Sequence, residues 1–355
     1  MSTSIASVAL RPAITGLVIF AATLAPEQFR GPLLAKLREY ASDRTIENAI
    51  TALKFFFGFG VVRTVNAILN RFAANDFRLR SLKSQYNWPR EIAFITGGTG
   101  GFGSRMSKDL AKKGVTVIAV DVRDSLPKDM ENNSNIHYYK CDITDRAAVM
   151  DLAKTVRGEH GDPTILINNA GLAFPGSIIE HDEKNLHDIF NVNIISHYWT
   201  LAAFLPAMIK ANKGHVVTIA SVASFVSPPD MVSYANTKCA LVSLHEGLTA
   251  ELRGMHKAPN VLTTIVHPTF ASTPMVTPFA SEISQRKMAI IKPEQVTDAI
   301  HQQIIECRRG QLIVDPGPGA LLATVRAWPT WMSSAFGRVL ASIHTDSIVR
   351  QKSAQ

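Results

Sequence analysis

Cysteine is scarce in this chain: Cys141, Cys239 and Cys307 are the only three among 355 residues. They are odd in number, widely spaced and form no CxxC pair. That argues against a disulfide framework and a zinc site, and it favours a reducing compartment. Each reads best as a small buried apolar residue, and no metal site is expected. Basic stripes with interleaved aromatics are missing as well, so the formal net charge of +8 does not point to nucleic acid. An anionic membrane surface fits it better. There is no internal repeat and no low-complexity tract. Clean membrane-spanning runs are lacking too. Ser4 to Ala25 carries one charge, Arg11, but Pro12 interrupts it. The remaining run, Ala13 to Ala25, would reach about 20 Å as a helix, short of a ~30 Å hydrocarbon core. A second greasy stretch, Ile50 to Val62, holds Lys54, is followed by Arg63 and is loosened by Gly58 and Gly60. Pro26, standing where cleavage would fall, argues against a secretory signal, and the Arg-containing, acid-free start leaves a mitochondrial presequence as the lesser alternative. The expectation is an anchor lying in, or dipping into, one leaflet; the alternative is a helical cap packed on the core.

What the chain does have is apolar bulk: 46% hydrophobic residues and a mean hydropathy of +0.08, greasy for a freely soluble enzyme. Its length suits one large α/β domain with an appendage. Three segments are expected: an apolar membrane-associating extension over 1–90, a catalytic domain over 91–315 and an amphipathic tail over 316–355. The first division falls at "NWPRE". Beyond it, strands predicted at 91–96, 115–121, 136–140, 164–168, 214–220, 261–267 and 311–314 alternate with helices near 103–113, 145–159, 184–211, 233–254 and 293–307. Continuous apolar runs such as "VTVIAVD" suit strands buried on both faces. The fold class is therefore α/β, a Rossmann-type doubly wound parallel sheet with an N-terminal apolar helical extension. In the tail, Trp328, Trp331 and Phe336 stand among Arg326 and Arg338. That pattern suits a membrane interface, packing on the tail's own domain, or the lining of a substrate pocket.

The chemistry starts at "AFITGGTGGFGSRMSKDLAKKG", Ala93 to Gly114. Glycines between a strand and a helix let the backbone bend sharply and approach a bulky anion, towards which the first helical N–H groups point. A dinucleotide pyrophosphate is the usual occupant. Eighteen residues beyond Gly103 the second strand ends at Asp121. A carboxylate there accepts from an adenosine ribose and repels a 2′-phosphate, which favours NAD; Arg123, two positions on, keeps NADP as the alternative. Tyr234 and Lys238 share one helix face at i and i+4, and a nearby ammonium would lower the phenol's pKa from about 10. Such a tyrosine exchanges a proton with an alcohol or carbonyl oxygen while hydride moves to or from nicotinamide. Ser221, thirteen residues before Tyr234 at a predicted strand end, offers a hydroxyl to the same oxygen.

In this order the residues resemble the short-chain dehydrogenase/reductase family. Gly97, Gly101 and Gly103 follow Thr96 in its TGxxxGxG pattern, with Thr99 and Phe102 between them. The resemblance implies that Asp142 in "CDITD" contacts the adenine ring, with Ile143 beside it. It implies that the Asn168 to Gly171 motif, including Asn169 and Ala170, steadies the sheet and walls the cofactor site. It assigns Asn193 in "FNVNII" as the catalytic asparagine on a water-linked proton path through Lys238, with Asn191 as the competing choice. In "HPTFASTPM" the family's Pro-Gly is Pro268-Thr269, and Thr273 would hold the nicotinamide carboxamide. Tyr234 and Lys238 would also touch the cofactor, and a homodimer is implied.

The apolar extension and "NWPREIAFITGG" look most like the membrane-associated retinol and 17β-hydroxysteroid dehydrogenase-like branch. The resulting expectation is an NAD-dependent oxidoreductase acting on a lipophilic alcohol or carbonyl. It would attach to an endoplasmic reticulum or lipid-droplet surface with its catalytic domain facing the cytosol. The alternatives are a tethered reductase of a biosynthetic pathway and a cofactor-binding scaffold on the same kind of surface.

Overall fold

The computed structural model describes residues 11–79, 81–285, 289–317 and 319–353. They form two compact units, Met1–Leu79 and Arg80–Gln355. The division lies upstream of the stretch at which the sequence changes character. The reason is Leu82, which is buried in the second unit with Leu262 and Cys307 and has Tyr86 and Trp88 packed against it.

Among its described residues the first unit holds three helices, Pro12–Thr23, Glu27–Arg38 and Asp43–Ala74. Pro12 does not interrupt the first of these; it occupies the opening helical position, where a missing N–H costs nothing. A turn of 96° separates this helix from the second, and Arg30 Nη1 donates to the Thr23 carbonyl across it at 3.1 Å. The third helix corrects the expectation of a loosened, short stretch. It runs unbroken through Gly58 and Gly60 for 32 residues, capped by the Ser42 hydroxyl, which accepts from Thr45 N–H. Each glycine costs only ~1 kcal/mol against alanine, too little to break a helix nucleated and extended on both sides. Gly16 of the first helix lies against the Phe57 ring of the third. Asp43–Ala74 is long and apolar enough to cross a membrane, and Phe55, Phe59, Val62, Ile68 and Leu69 are exposed along it.

The second unit is built on seven parallel strands: β1 Ile92–Thr96, β2 Thr116–Asp121, β3 Ile136–Lys140, β4 Ile165–Asn168, β5 Gly214–Ile219, β6 Val261–Pro268 and β7 Gly310–Val314. Their order is β3-β2-β1-β4-β5-β6-β7, with Ala93 paired to Val117 on one side and to Ile165 on the other. Alternate side chains of β1 serve opposite layers. Ala93 and Ile95 pack with Met106, Leu110, Ile300 and Ile304 of the helices Gly101–Ala111 and Pro293–Ile305. Phe94 faces the other way, towards Val149, Ala153, Phe204 and Leu252 of the helices Arg146–Glu159, Ser196–Ala211 and Val232–Gly254. The rings of Phe94 and Phe204 stand 4.3 Å apart. The segment Glu183–Ala211 is also apolar enough to cross a membrane by length and composition, but 44% of its apolar window is buried, and it packs on β4 and β5. Its length comes from three helical stretches, Glu183–Phe190, Asn191–Ile195 and Ser196–Ala211, that follow one another without a break. Chain order reverses direction between β1 and β4, and the crevice outside the strands' carboxyl ends opens there.

Candidate active site

One cavity of about 840 Å³ lies at those carboxyl ends. The glycine turn forms its floor. The helix Gly101–Ala111 starts at Gly100 with no side chain capping it, so the N–H groups of its first turn have no intrahelical acceptor and the positive end of its dipole is uncovered. Gly101 adopts φ +48°, and a Cβ there would come 3.7 Å from Thr273 across the opening. Gly103 lies behind the turn, where a Cβ would strike the Gly97 carbonyl oxygen at 1.9 Å. Only glycine lets helix and turn approach this closely. Asn169 ties the turn to the end of β4: its Nδ2 donates to the carbonyls of Thr96 at 2.9 Å and Gly97 at 3.1 Å. The Thr96 hydroxyl accepts from the N–H groups of Asn169 and Ala170.

At the next strand end, Asp121 lines the cavity with Arg123. Its carboxylate is held by Thr99 Oγ1, donating at 2.5 Å, and by the Val122 N–H at 2.9 Å. Thr99 thus works from behind the cavity wall, fixing the carboxylate. The Arg123 guanidinium lies beside Gly100, 3.2 Å from where its Cβ would be. Asp142, Ile143, Ala170, Gly171 and Pro268 line the same space. Asp142 accepts from the N–H and hydroxyl of Thr144; the cap of the following helix is Asp145.

At the other end the cavity wall carries Ser221, Tyr234 and Lys238. Ser221 follows β5, with its hydroxyl donating to the Pro268 carbonyl at 3.4 Å and accepting from Ala223 N–H at 3.1 Å. Tyr234 and Lys238 are one turn apart on the helix Val232–Gly254. Lys238 Nζ lies 5.5 Å from the Tyr234 ring centroid and donates to the Ile219 carbonyl at 2.9 Å. Burial pushes the Tyr234 phenol up to about 12, against the pull of its hydrogen bond with Ser221, and pushes the Lys238 ammonium down to about 8. The sequence-based expectation that the lysine would lower the phenol's pKa is not met in the protein alone: desolvation dominates, and the pull against it comes from Ser221. Of the two groups, burial therefore makes Lys238 the one that loses its proton more readily.

Asn193 sits in a widened π turn, Asn191–Ile195, and is fully buried. Its Oδ1 accepts from Leu172 N–H at 2.7 Å, and its Nδ2 donates to the Leu172 carbonyl and to Thr237 Oγ1. The side chain thus clamps the loop after β4 to the helix of Tyr234 and makes no hydrogen bond to Lys238. Sequence reasoning did not single out His267. Its Nδ1–H donates to the Ser221 carbonyl at 2.9 Å while its Nε2 accepts from Gln311 Nε2 at 3.0 Å. Burial pushes its pKa down to about 4, so the ring stays neutral and holds one tautomer. The signal available was a histidine inside the apolar run "VLTTIVHP", where an imidazole needs partners.

The chain matches the family model described as short chain dehydrogenase over residues 91–284. Over 200 residues it is 38% identical to Dehydrogenase RED2 of Cochliobolus heterostrophus, covering 56% of this chain and 71% of that protein. It is 31% identical over 268 residues to Estradiol 17-beta-dehydrogenase 11 of Homo sapiens, covering 74% of this chain and 87% of that protein. Among solved structures, a short chain dehydrogenase/reductase from Burkholderia phymatum in complex with NAD superposes with a TM-score of 0.61 at 24% identity, covering 67% of this chain and 93% of that one. This last likeness is one of fold.

Proposed function

The chain belongs to the short-chain dehydrogenase/reductase family, and on that premise we propose that it interconverts an alcohol and a carbonyl on a lipophilic substrate by hydride exchange with NAD. One observation carries the reading: Ser221, Tyr234 and Lys238 line the same cavity as the uncapped glycine turn and Asp121. The turn suits a pyrophosphate, since Gly101 leaves open the space that a Cβ would fill and the first helical N–H groups offer donors. Asp121, already oriented by Thr99, suits a ribose diol, and Thr273 suits the carboxamide end. A nicotinamide cofactor, when bound, supplies or accepts the hydride.

The chain's own residues handle the proton and the substrate oxygen. Ser221 Oγ and the Tyr234 phenol present hydrogen bonds to one substrate oxygen, which favours the oxyanionic character that develops there. Tyr234 takes the proton from an alcohol or gives it to a carbonyl, and Lys238 beside it relays that proton to or from solvent. His267 holds the Ser221 backbone, and Asn193 holds the loop opposite.

Apolar side chains at the substrate end, including Val226, Met231, Met275, Ile283 and Leu322, support a lipophilic substrate, as does the relative named for estradiol. The exposed apolar helix Asp43–Ala74 supports attachment to a membrane or lipid droplet, the phase into which such a substrate partitions, and in this reading the catalytic unit faces the cytosol. Tyr234→Phe tests the reading. It keeps the ring but removes the exchangeable proton, so turnover of a steroid or retinoid alcohol should fall by about 10²–10⁴ while NAD affinity persists. Near-normal turnover in that variant rejects the assignment.

A further inference from the structure

The C-terminal segment contributes to the same cavity. Leu322, Phe336 and Leu340 line it, and Val325 is buried. Trp328 braces the segment from within: its indole N–H donates to Thr324 Oγ1 at 2.9 Å, and its ring meets Phe336 edge-on at 5.9 Å. The cavity-lining side chains of this wall are all apolar, yet a charged group ties it down. Arg326, in the turn Val325–Ala327, donates from Nε to the Phe225 carbonyl at 3.2 Å and from Nη1 to Cys239 Sγ at 3.0 Å. Phe225 closes the short turn that begins at Ser221, and Cys239 follows Lys238 on the helix Val232–Gly254. One guanidinium therefore bridges the two elements that carry Ser221, Tyr234 and Lys238.

The anchor points are rigid without Arg326. Phe225 N–H donates to the Val222 carbonyl, the Phe225 ring packs on His267 at 4.5 Å, and Cys239 sits within a long helix. Losing the arginine should therefore free the wall and leave the reacting groups where they are. A guanidinium suits this task because its planar fork donates in two fixed directions, whereas an ammonium is a point donor.

We propose that Arg326 is a specificity latch, holding the C-terminal segment as the apolar wall of the substrate end of the cavity. The latch governs how tightly a bulky lipophilic substrate is gripped and leaves the chemical step alone. It rests on the oxidoreductase reading above.

The test uses the full chain in detergent, with estradiol and the small water-soluble alcohol 2-butanol as paired substrates. In Arg326→Ala the KM for estradiol should rise about five- to tenfold, as expected for two lost hydrogen bonds, with kcat on both alcohols and the KM for 2-butanol unchanged. Arg326→Lys, able to reach one acceptor at a time, should recover part of the loss. Cys239→Ala should show a smaller rise, and Cys239→Ser, which keeps an acceptor, should stay near wild type. Hydrogen exchange of the backbone amides over 319–342 should quicken in Arg326→Ala. An equal loss on both substrates would overturn the latch and make Arg326 a support for the reacting groups. Unchanged exchange over 319–342 would overturn it too. If the wild-type chain turned over neither alcohol with either cofactor, the functional reading would fail instead, and the exchange measurement would still decide the latch.

Discussion

Alanine substitution at two neighbouring glycines separates the fold from the cofactor cradle. At Gly103 a Cβ would sit 1.9 Å from the Gly97 carbonyl oxygen and 2.8 Å from Asn169 Nδ2. The neighbour is backbone, so the turn must move by about 1.5 Å to restore ordinary contact in a close-packed interior. Overpacking of this kind costs ~1–3 kcal/mol. Displacing Gly97 also strains the two hydrogen bonds from Asn169, worth ~1 kcal/mol each. A loss of about 3–5 kcal/mol corresponds to a fall of roughly 10 °C in the Tm of a unit this size. Gly101 responds differently. Its φ of +48° costs an alanine ~1–2 kcal/mol, but the new methyl would meet only Thr273, at 3.7 Å. The Tm should therefore fall by a few degrees at most. The methyl would stand in the opening that the pyrophosphate is proposed to use, so NAD affinity should fall at least about tenfold, or ~1.4 kcal/mol. Differential scanning fluorimetry and NAD titration on both variants make the comparison. The reasoning is refuted if Gly103→Ala melts within about 2 °C of wild type, or if Gly101→Ala binds NAD as wild type does.

Three further outcomes are expected. Alcohol oxidation needs the Tyr234–Lys238 pair to have lost one proton, so its rate should climb about tenfold per pH unit from the acid side and level off near 8, where burial places Lys238. In Lys238→Met the climb should shift upward towards the phenol's value of about 12; a profile unmoved by that change contradicts the assignment. Asp121→Ala should lose discrimination against NADP, because the carboxylate beside the ribose site no longer repels a 2′-phosphate, and Arg123→Ala should weaken whatever NADP binding exists; a wild type that already prefers NADP makes Arg123 the dominant group. High salt should fail to release the protein from membranes while detergent succeeds, since apolar burial dominates the attachment. Deleting residues 1–75 should move the chain to the soluble fraction with its turnover of 2-butanol intact, and a truncated chain that stays on membranes moves the anchor elsewhere.

Much of this protein was legible along the chain, wherever a property depends on local spacing. β1 and β2 were readable because strands buried on both faces must be continuously apolar. The glycine turn was readable because a close approach such as Gly103 to Gly97 tolerates no side chain. Tyr234 and Lys238 were readable because i and i+4 share a helix face in any helix. What escaped depends on partners distant in sequence or on the balance of burial against charge. The continuity of Asp43–Ala74 through two glycines follows from cooperative helix extension over 32 residues, which a short window around Gly58 misses. The direction of the Tyr234 shift came from desolvation, a property of the assembled cavity that no spacing encodes. Asn193 was found by its motif, but its grip on Leu172 and Thr237 exists only once the loop after β4 and the helix Val232–Gly254 meet. In the tail, spacing left interface, self-packing and pocket lining equally open, and the tie from Arg326 to Phe225 and Cys239 exists only because folding brings residues about a hundred positions apart within 3.2 Å.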